Sequence, residues 1–168
     1  MLKYYLYCIK NKVSPIKARL FFNNTSHSQK KKHKVLSKSG VKISGQANIM
    51  APFYYEYGKI EIIGNVFINA NCNFLDDEKI VINDGAMIGP NVTLSTVSHH
   101  IAPERRHKNN IVAPITIGKN VWICAGAVIL PGVVIGENSI IGANSVVNCN
   151  VPANTMYAGT PAVFKKNI

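Results

Sequence analysis

The stretch IGKNVWICAGAVILPGVVIGENSIIGANSVV, residues 117–147, decides the fold, because an aliphatic residue returns at every sixth position: Ile117, Ile123, Ile129, Ile135, Ile141 and Val147. An amphipathic helix repeats at three and four residues and a half-buried strand alternates at two, so neither produces a period of six. Short strands, each followed by a turn, do. Toward the N-terminus the same spacing links Ile43 with Ile49, Ile62 with Ile68 and Phe74, and Ile82 with Ile88 and Leu94. Four residues after most of these stands a small or β-branched residue: Ala47, Val66, Cys72, Ala86, Val92, Ser98, Val121, Ala127, Val133, Ser139, Ser145 and Val151. Three units close one triangular coil, with the aliphatic residue on the axis and compact residues such as Gly and Asn at the corners. The repeat region predicts about five coils of a parallel β-helix.

The interruptions carry as much information as the period. Residues 50–61 are irregular around Tyr54 to Gly58, and residues 75–81 hold a two-residue insertion. The large break falls between Leu94 and Ile117, where His99, His100, Pro103, Glu104, Arg105, Arg106, His107, Lys108, Asn109 and Asn110 replace the ladder. A solenoid interior is filled by side chains, so chemistry belongs on loops or between subunits, and this polar excursion is the place to look.

With 168 residues, 47% of them hydrophobic, the chain buries one sizeable core and is too short for two ordinary domains. The division expected is a basic, helix-compatible N-terminal segment over 1–40 and a β-helix domain over 41–168 with a protruding loop at 99–114. The net charge of +11 calls for an anionic partner, and much of the excess lies before residue 40, where Lys30, Lys31, Lys32 and Lys34 flank His33. Cys8, Cys72, Cys124 and Cys149 show no metal-type or disulfide-framework spacing, so reduced thiols and no structural zinc are expected. Apolar clusters at Tyr4 to Ile9 and Leu20 to Phe22 are interrupted by Lys and Arg, which excludes a spanning helix or a signal-peptide core and points to a cytoplasmic protein. This basic amphipathic segment suits packing on the domain first and peripheral contact with an anionic membrane surface second.

The ordered set of motifs resembles the hexapeptide-repeat acetyltransferases, specifically the galactoside, maltose and nodulation-factor acetyltransferase group, over roughly residues 60–166. It runs through Asn69-Ala70-Asn71-Cys72-Asn73-Phe74-Leu75-Asp76-Asp77, Ile88-Gly89-Pro90-Asn91-Val92-Thr93-Leu94, and His99 followed seven residues later by Arg106. After the excursion come Pro114-Ile115-Thr116-Ile117-Gly118-Lys119-Asn120-Val121-Trp122-Ile123, Leu130-Pro131-Gly132-Val133, Val151-Pro152 and Gly159-Thr160-Pro161-Ala162. The resemblance implies an all-β fold, a left-handed parallel β-helix, assembled as a homotrimer with active sites between adjacent subunits. It implies acetyl-CoA as co-substrate rather than a bound cofactor, and a sugar or glycan hydroxyl as acceptor.

The same resemblance distributes roles. His99 matches the family's catalytic histidine, and a neutral imidazole suits a base that takes a proton from an attacking hydroxyl. The backbone N–H of Ala125 is the candidate oxyanion donor; its neighbour Cys124 stands where glycine is common, and a β-carbon disfavours positive φ. Asn69, Asn71 and Asp77 fall on the acceptor side, although Asn and Asp are also ordinary corner residues. Arg106 either orients the excursion or meets the acceptor, and Trp122 walls the cleft. Along the donor lie Ala125, Gly126, Gly142, Ala143, Asn148 and Cys149, the last two where the family often has Thr-Lys. Lys165 and Lys166 offer charge for CoA phosphates.

Three rivals weigh less. A γ-type carbonic anhydrase needs widely separated histidines for zinc, whereas His99, His100 and His107 are bunched. A serine acetyltransferase would carry Asp-Arg-His-Pro and a longer helical N-terminal domain. A non-enzymatic basic β-helix scaffold for a polyanion accounts for Lys30 to Lys38, but that run lacks the interleaved aromatics of a single-strand binder, so no nucleic-acid partner is expected.

Overall fold

The computed structural model describes residues 2–168, with side chains from Tyr4 onward. From Lys42 the chain winds as a parallel β-helix of hexapeptide units. Its first face is a five-stranded sheet of Lys42–Ser44, Ile60–Ile63, Ile80–Ile82, Ile115–Ile117 and Val134–Ile135. The second face is seven-stranded, running Ala47–Ile49, Val66–Ile68, Met87–Ile88, Trp122–Ile123, Ile140–Ile141, Thr155–Ala158 and, antiparallel at the edge, Val163–Asn167. The third is five-stranded, from Phe53–Tyr55 through Cys72–Leu75, Thr93–Ser95 and Val128–Ile129 to Val146–Val147.

Alternate residues of a strand face the same way, so a unit whose ladder residue points to the axis also points the residue two places before it inward. That residue is also four places after the preceding ladder position, which is the second regularity of the sequence. Val66 with Ile68, Ala86 with Ile88, and Val121 with Ile123 are such inward pairs, all buried. Each fully buried Ile contributes about 1.5–3 kcal/mol relative to exposure. Ser98 breaks the rule: it lies exposed on the excursion, paired with Ile111, because the chain has already left the solenoid there.

The two smaller interruptions are one structural device. Tyr55 keeps the ladder position, opposite Phe74 and fully buried, so the irregularity belongs to the turn after it. Ile62 pairs with Ile82, the partner strand being displaced by the insertion at 75–81, whereas Ile117 pairs with Ile135, three units of six away. The insertion delivers the buried carboxylate of Asp76 beneath the irregular turn. Its Oδ1 accepts the N–H of Glu56 at 2.6 Å and of Tyr57 at 3.1 Å, and its Oδ2 accepts that of Lys59 at 2.7 Å. Asp76→Asn turns an amide donor onto at least one of these N–H groups. We expect about 1–3 kcal/mol of destabilisation, seen as a lower urea midpoint at unchanged slope.

Residues before the solenoid form three helices, α1 (Leu2–Ile9), α2 (Pro15–Asn23) and α3 (Gln29–Ser37), so this part of the chain is helical rather than β. They close the open end of the first coil. Phe22 meets Phe53 edge-on at 6.2 Å, and Ala18, Phe21, Val35 and Leu36 extend the axial core upward. The carboxamide of Asn23 accepts the N–H of Phe53 at 3.0 Å and donates to its carbonyl at 3.2 Å, as a neighbouring strand would. Gln29 donates to the carbonyl of Ile49 at 2.8 Å, and Arg19 donates to that of Tyr55.

Candidate active site

Backbone hydrogen bonds stack the corners between the second and third faces into a continuous edge. Asn91 N–H donates to Ala70, Gly126 N–H to Pro90 and Asn144 N–H to Ala125. This edge therefore gathers Asn69, Asn71, Ala125, Gly126, Gly142 and Ala143. Asn71 has φ +62 and is exposed, so its conformational role at the corner accounts for the residue type. Gly142 is buried beneath the strand Thr155–Ala158, where a β-carbon would sit 2.7 Å from that of Ala158, so its compactness serves coil packing.

Beside this edge, on the second face, lies a cleft of about 400 Å³ lined by Phe67, Met87, Pro90, Trp122, Cys124 and Ala125, with Asn69 at its rim. Phe67, Met87 and Trp122 share one register across three strands and face outward, which makes an apolar wall. The cleft brings together Asn69, Trp122 and Ala125 among the residues expected from the sequence. Phe67 and Met87 were not anticipated, since outward positions of a solenoid follow no period; their only signal is an apolar residue directly before a ladder isoleucine. The Asn69 side-chain oxygen accepts the N–H of Ala70 at 2.8 Å, and its Nδ2 donors have no partner among the described residues.

Cys124 does not adopt positive φ; the left-handed residue of this corner is Gly126, at φ +70. The β-carbon at 124 is thus accommodated without strain. Burial pushes the Cys124 thiol above its usual range, which disfavours the thiolate a nucleophile needs. Burial also pushes Cys72 up to about 11. The N–H of Ala125 donates to no acceptor among the described residues, whereas Cys124 N–H is bonded to Ile141 and Gly126 N–H to Pro90. A free N–H at a rigid corner beside an apolar cleft is suited to stabilise a developing oxyanion.

The excursion leaves from a different edge, between the third and first faces. Thr96 anchors both ends: its N–H and Oγ1 donate to Leu75, and its carbonyl accepts the N–H of Ala113. Val97–His99 and Asn110–Val112 then form an antiparallel hairpin in which His99 faces Asn110. His99 is exposed, and its side chain makes no hydrogen bond among the described residues. Arg106 donates to the carbonyl of Ile101 at 3.0 Å, so it braces the hairpin tip. Asp77, whose carbonyl accepts from Lys59, and the exposed Asn148 and Cys149 belong to this second edge as well. Lys165 and Lys166 are exposed on the terminal strand Val163–Asn167.

The expected site residues are therefore divided. No hairpin residue lines the cleft. One whole face of the prism separates His99 from Ala125 within a chain.

Residues 114–149 match the family described as bacterial transferase hexapeptide (six repeats). The chain is 42% identical to nodulation protein L of Rhizobium meliloti over 84% of its own length and 79% of the relative's. It is 41% identical to the galactoside O-acetyltransferase of Escherichia coli over 83% of its length and 70% of the relative's. Among solved structures, a hexapeptide-repeat acetyltransferase of Vibrio cholerae complexed with acetyl-coenzyme A superposes with a TM-score of 0.87 at 34% identity, covering 91% of this chain and 84% of that one.

Proposed function

Because the chain belongs to the hexapeptide-repeat acetyltransferases, we propose that it transfers an acetyl group from acetyl-CoA to a hydroxyl of a sugar or glycan acceptor, with His99 as general base. His99 takes the hydroxyl proton as that oxygen attacks the thioester carbon. The resulting oxyanion accepts the free N–H of Ala125, and collapse expels the CoA thiolate, which recovers the proton from His99. Donors of Asn69 orient the acceptor, while Trp122, Met87 and Phe67 exclude water from the thioester.

The observation that carries this reading is the division of the site between two edges. A base and an oxyanion donor must flank one carbonyl carbon within a few ångströms. A face built from a six-residue unit holds His99 and Ala125 of one chain roughly 15–20 Å apart. A cyclic trimer resolves this, since each interface apposes one chain's hairpin edge to the cleft edge of the next. Lys165 and Lys166 then remain free to meet CoA phosphates.

The activity is tested by thiol release from acetyl-CoA across a panel of sugars and glycans; failure to bind acetyl-CoA at all would return the chain to a polyanion-binding scaffold. The shared site is tested by complementation. His99→Ala and Ala125→Pro chains, each inactive alone, are co-refolded in equal amounts. Random assembly restores about one quarter of the sites if each pairs one chain's hairpin with a neighbour's cleft. No recovery in mixed trimers would mean that each site lies within one chain.

A further inference from the structure

The helical cap has properties the acetyl-transfer site does not use. Residues 1–40 hold ten of the nineteen Lys and Arg and none of the eight Asp and Glu. Nearly the whole net charge thus sits on three short helices at one end of the molecule, and the solenoid itself is close to neutral. The only ion pair among the described residues joins Lys79 to Glu61, both on the solenoid, so no cap cation among the described side chains is paired with a carboxylate.

The cap also exposes apolar surface. Tyr4 and Tyr7 face inward from α1 and pack on Phe21, while Tyr5, Leu6 and Ile9 point away from the protein, Ile9 at 80% exposure. On α2, Ala18, Phe21 and Phe22 are buried, and Ile16 and Leu20, one turn apart, are exposed. Tyr7 and Leu20 line one hollow, where side chains of α1 and α2 meet, while both helices pack on α3. The two chemistries interleave at the corner between these helices: Ile9 is followed by exposed Lys10 and Lys12, and Ile16 by exposed Lys17. Lys12 and Lys34 line a common hollow, so α3 adds its charge to the same corner, which Lys38 fastens by donating to the carbonyls of Cys8 and Lys10.

Cations alone describe a patch for any polyanion. Cations interleaved with protruding aliphatic and aromatic side chains fit a surface that is anionic at its face and apolar just beneath, which is the interface of a bilayer. We propose that the α1–α2 corner docks this protein onto membranes containing anionic lipids, with Lys10, Lys12, Lys17 and Lys34 at the headgroups and Leu6, Ile9 and Ile16 reaching below them. Neighbouring strands lie about 4.8 Å apart, so the strand Met87–Ile88 in the middle of the cleft stands roughly 10 Å below the cap's own coil. Docking therefore holds the acceptor cleft close to the bilayer surface, within reach of a membrane-borne glycan. The docking itself is independent of the acetyl-transfer reading.

The test is sedimentation of the full chain with phosphatidylcholine vesicles, with and without phosphatidylserine. Binding is expected only to the anionic vesicles. Lys10→Gln, Lys12→Gln and Lys17→Gln together lower it by on the order of 100-fold, and Ile9→Ser with Ile16→Ser lowers it by about 10-fold or more. All five positions are exposed, and unchanged thermal unfolding verifies that the variants fold. Absence of binding to phosphatidylserine vesicles at low salt overturns the proposal. So does binding that the serine pair leaves intact and that heparin or nucleic acid competes away, because the corner is then a general polyanion site.

Discussion

His99→Ala is expected to lower turnover of acetyl-CoA with its best acceptor by about 10²–10⁴-fold, the range that general-base catalysis supplies, with acetyl-CoA affinity staying near that of the wild type. Both parts of the expectation come from position. His99 stands at the loop end of an exposed hairpin ladder and its side chain makes no hydrogen bond among the described residues, so its truncation leaves the solenoid core untouched. The adjacent His100, one residue past the strand Val97–His99, provides an internal control, since His100→Ala removes a neighbouring imidazole and leaves the proposed base in place. Turnover by His99→Ala equal to wild type, or an equal fall in both variants, would remove His99 from the chemistry.

Ala125→Pro is the second large effect, a loss of about 10²–10³-fold in turnover with the fold preserved. The corner after Ile123 is stacked on the corner after Ile88, so Ala125 occupies the position that Pro90 holds one coil earlier. Pro131 fills the analogous place two residues after Ile129. This turn thus already accepts proline at that position, whose φ suits the first central residue of a β-turn. The substitution removes one N–H and no hydrogen bond made among the described residues. An unfolding temperature at or above that of the wild type, together with the activity loss, assigns the effect to the missing donor; Ala125→Gly, which keeps the N–H, should retain most turnover. Full activity in the proline variant would move the oxyanion donor elsewhere.

The solenoid was legible because each ladder residue is an independent witness to one period. Tyr55 escaped that reading although it sits on the axis, since an aromatic residue followed by an extra-long turn resembles an interruption. The helices were legible only as one helix-compatible basic segment over 1–40, not as three elements, for a different reason. Each is too short for a 3.6-residue pattern to accumulate, and their apolar residues serve two faces, one packed on the coil and one exposed. At the site, Asn69, Trp122 and Ala125 were found through the motifs that surround them. The apolar wall of Phe67 and Met87 was not, because register between distant strands, not spacing along the chain, places them beside Trp122. That His99 and Ala125 lie on separate edges is equally a property of winding, which no local motif expresses.

The side chains of Asn23, Gln29 and Arg19 also decide how long this rod is. Every coil offers the next one a ready lattice of N–H and C=O groups, and the growth rule has no internal reason to stop. At the first coil, a carboxamide on Phe53, another on the carbonyl of Ile49 and a guanidinium on that of Tyr55 occupy the sites where another copy would add. The helices are in this sense a chain terminator written in side chains. A molecule clipped after α3 would keep its axial isoleucines and lose its end, with a strand edge open to indefinite stacking along the axis.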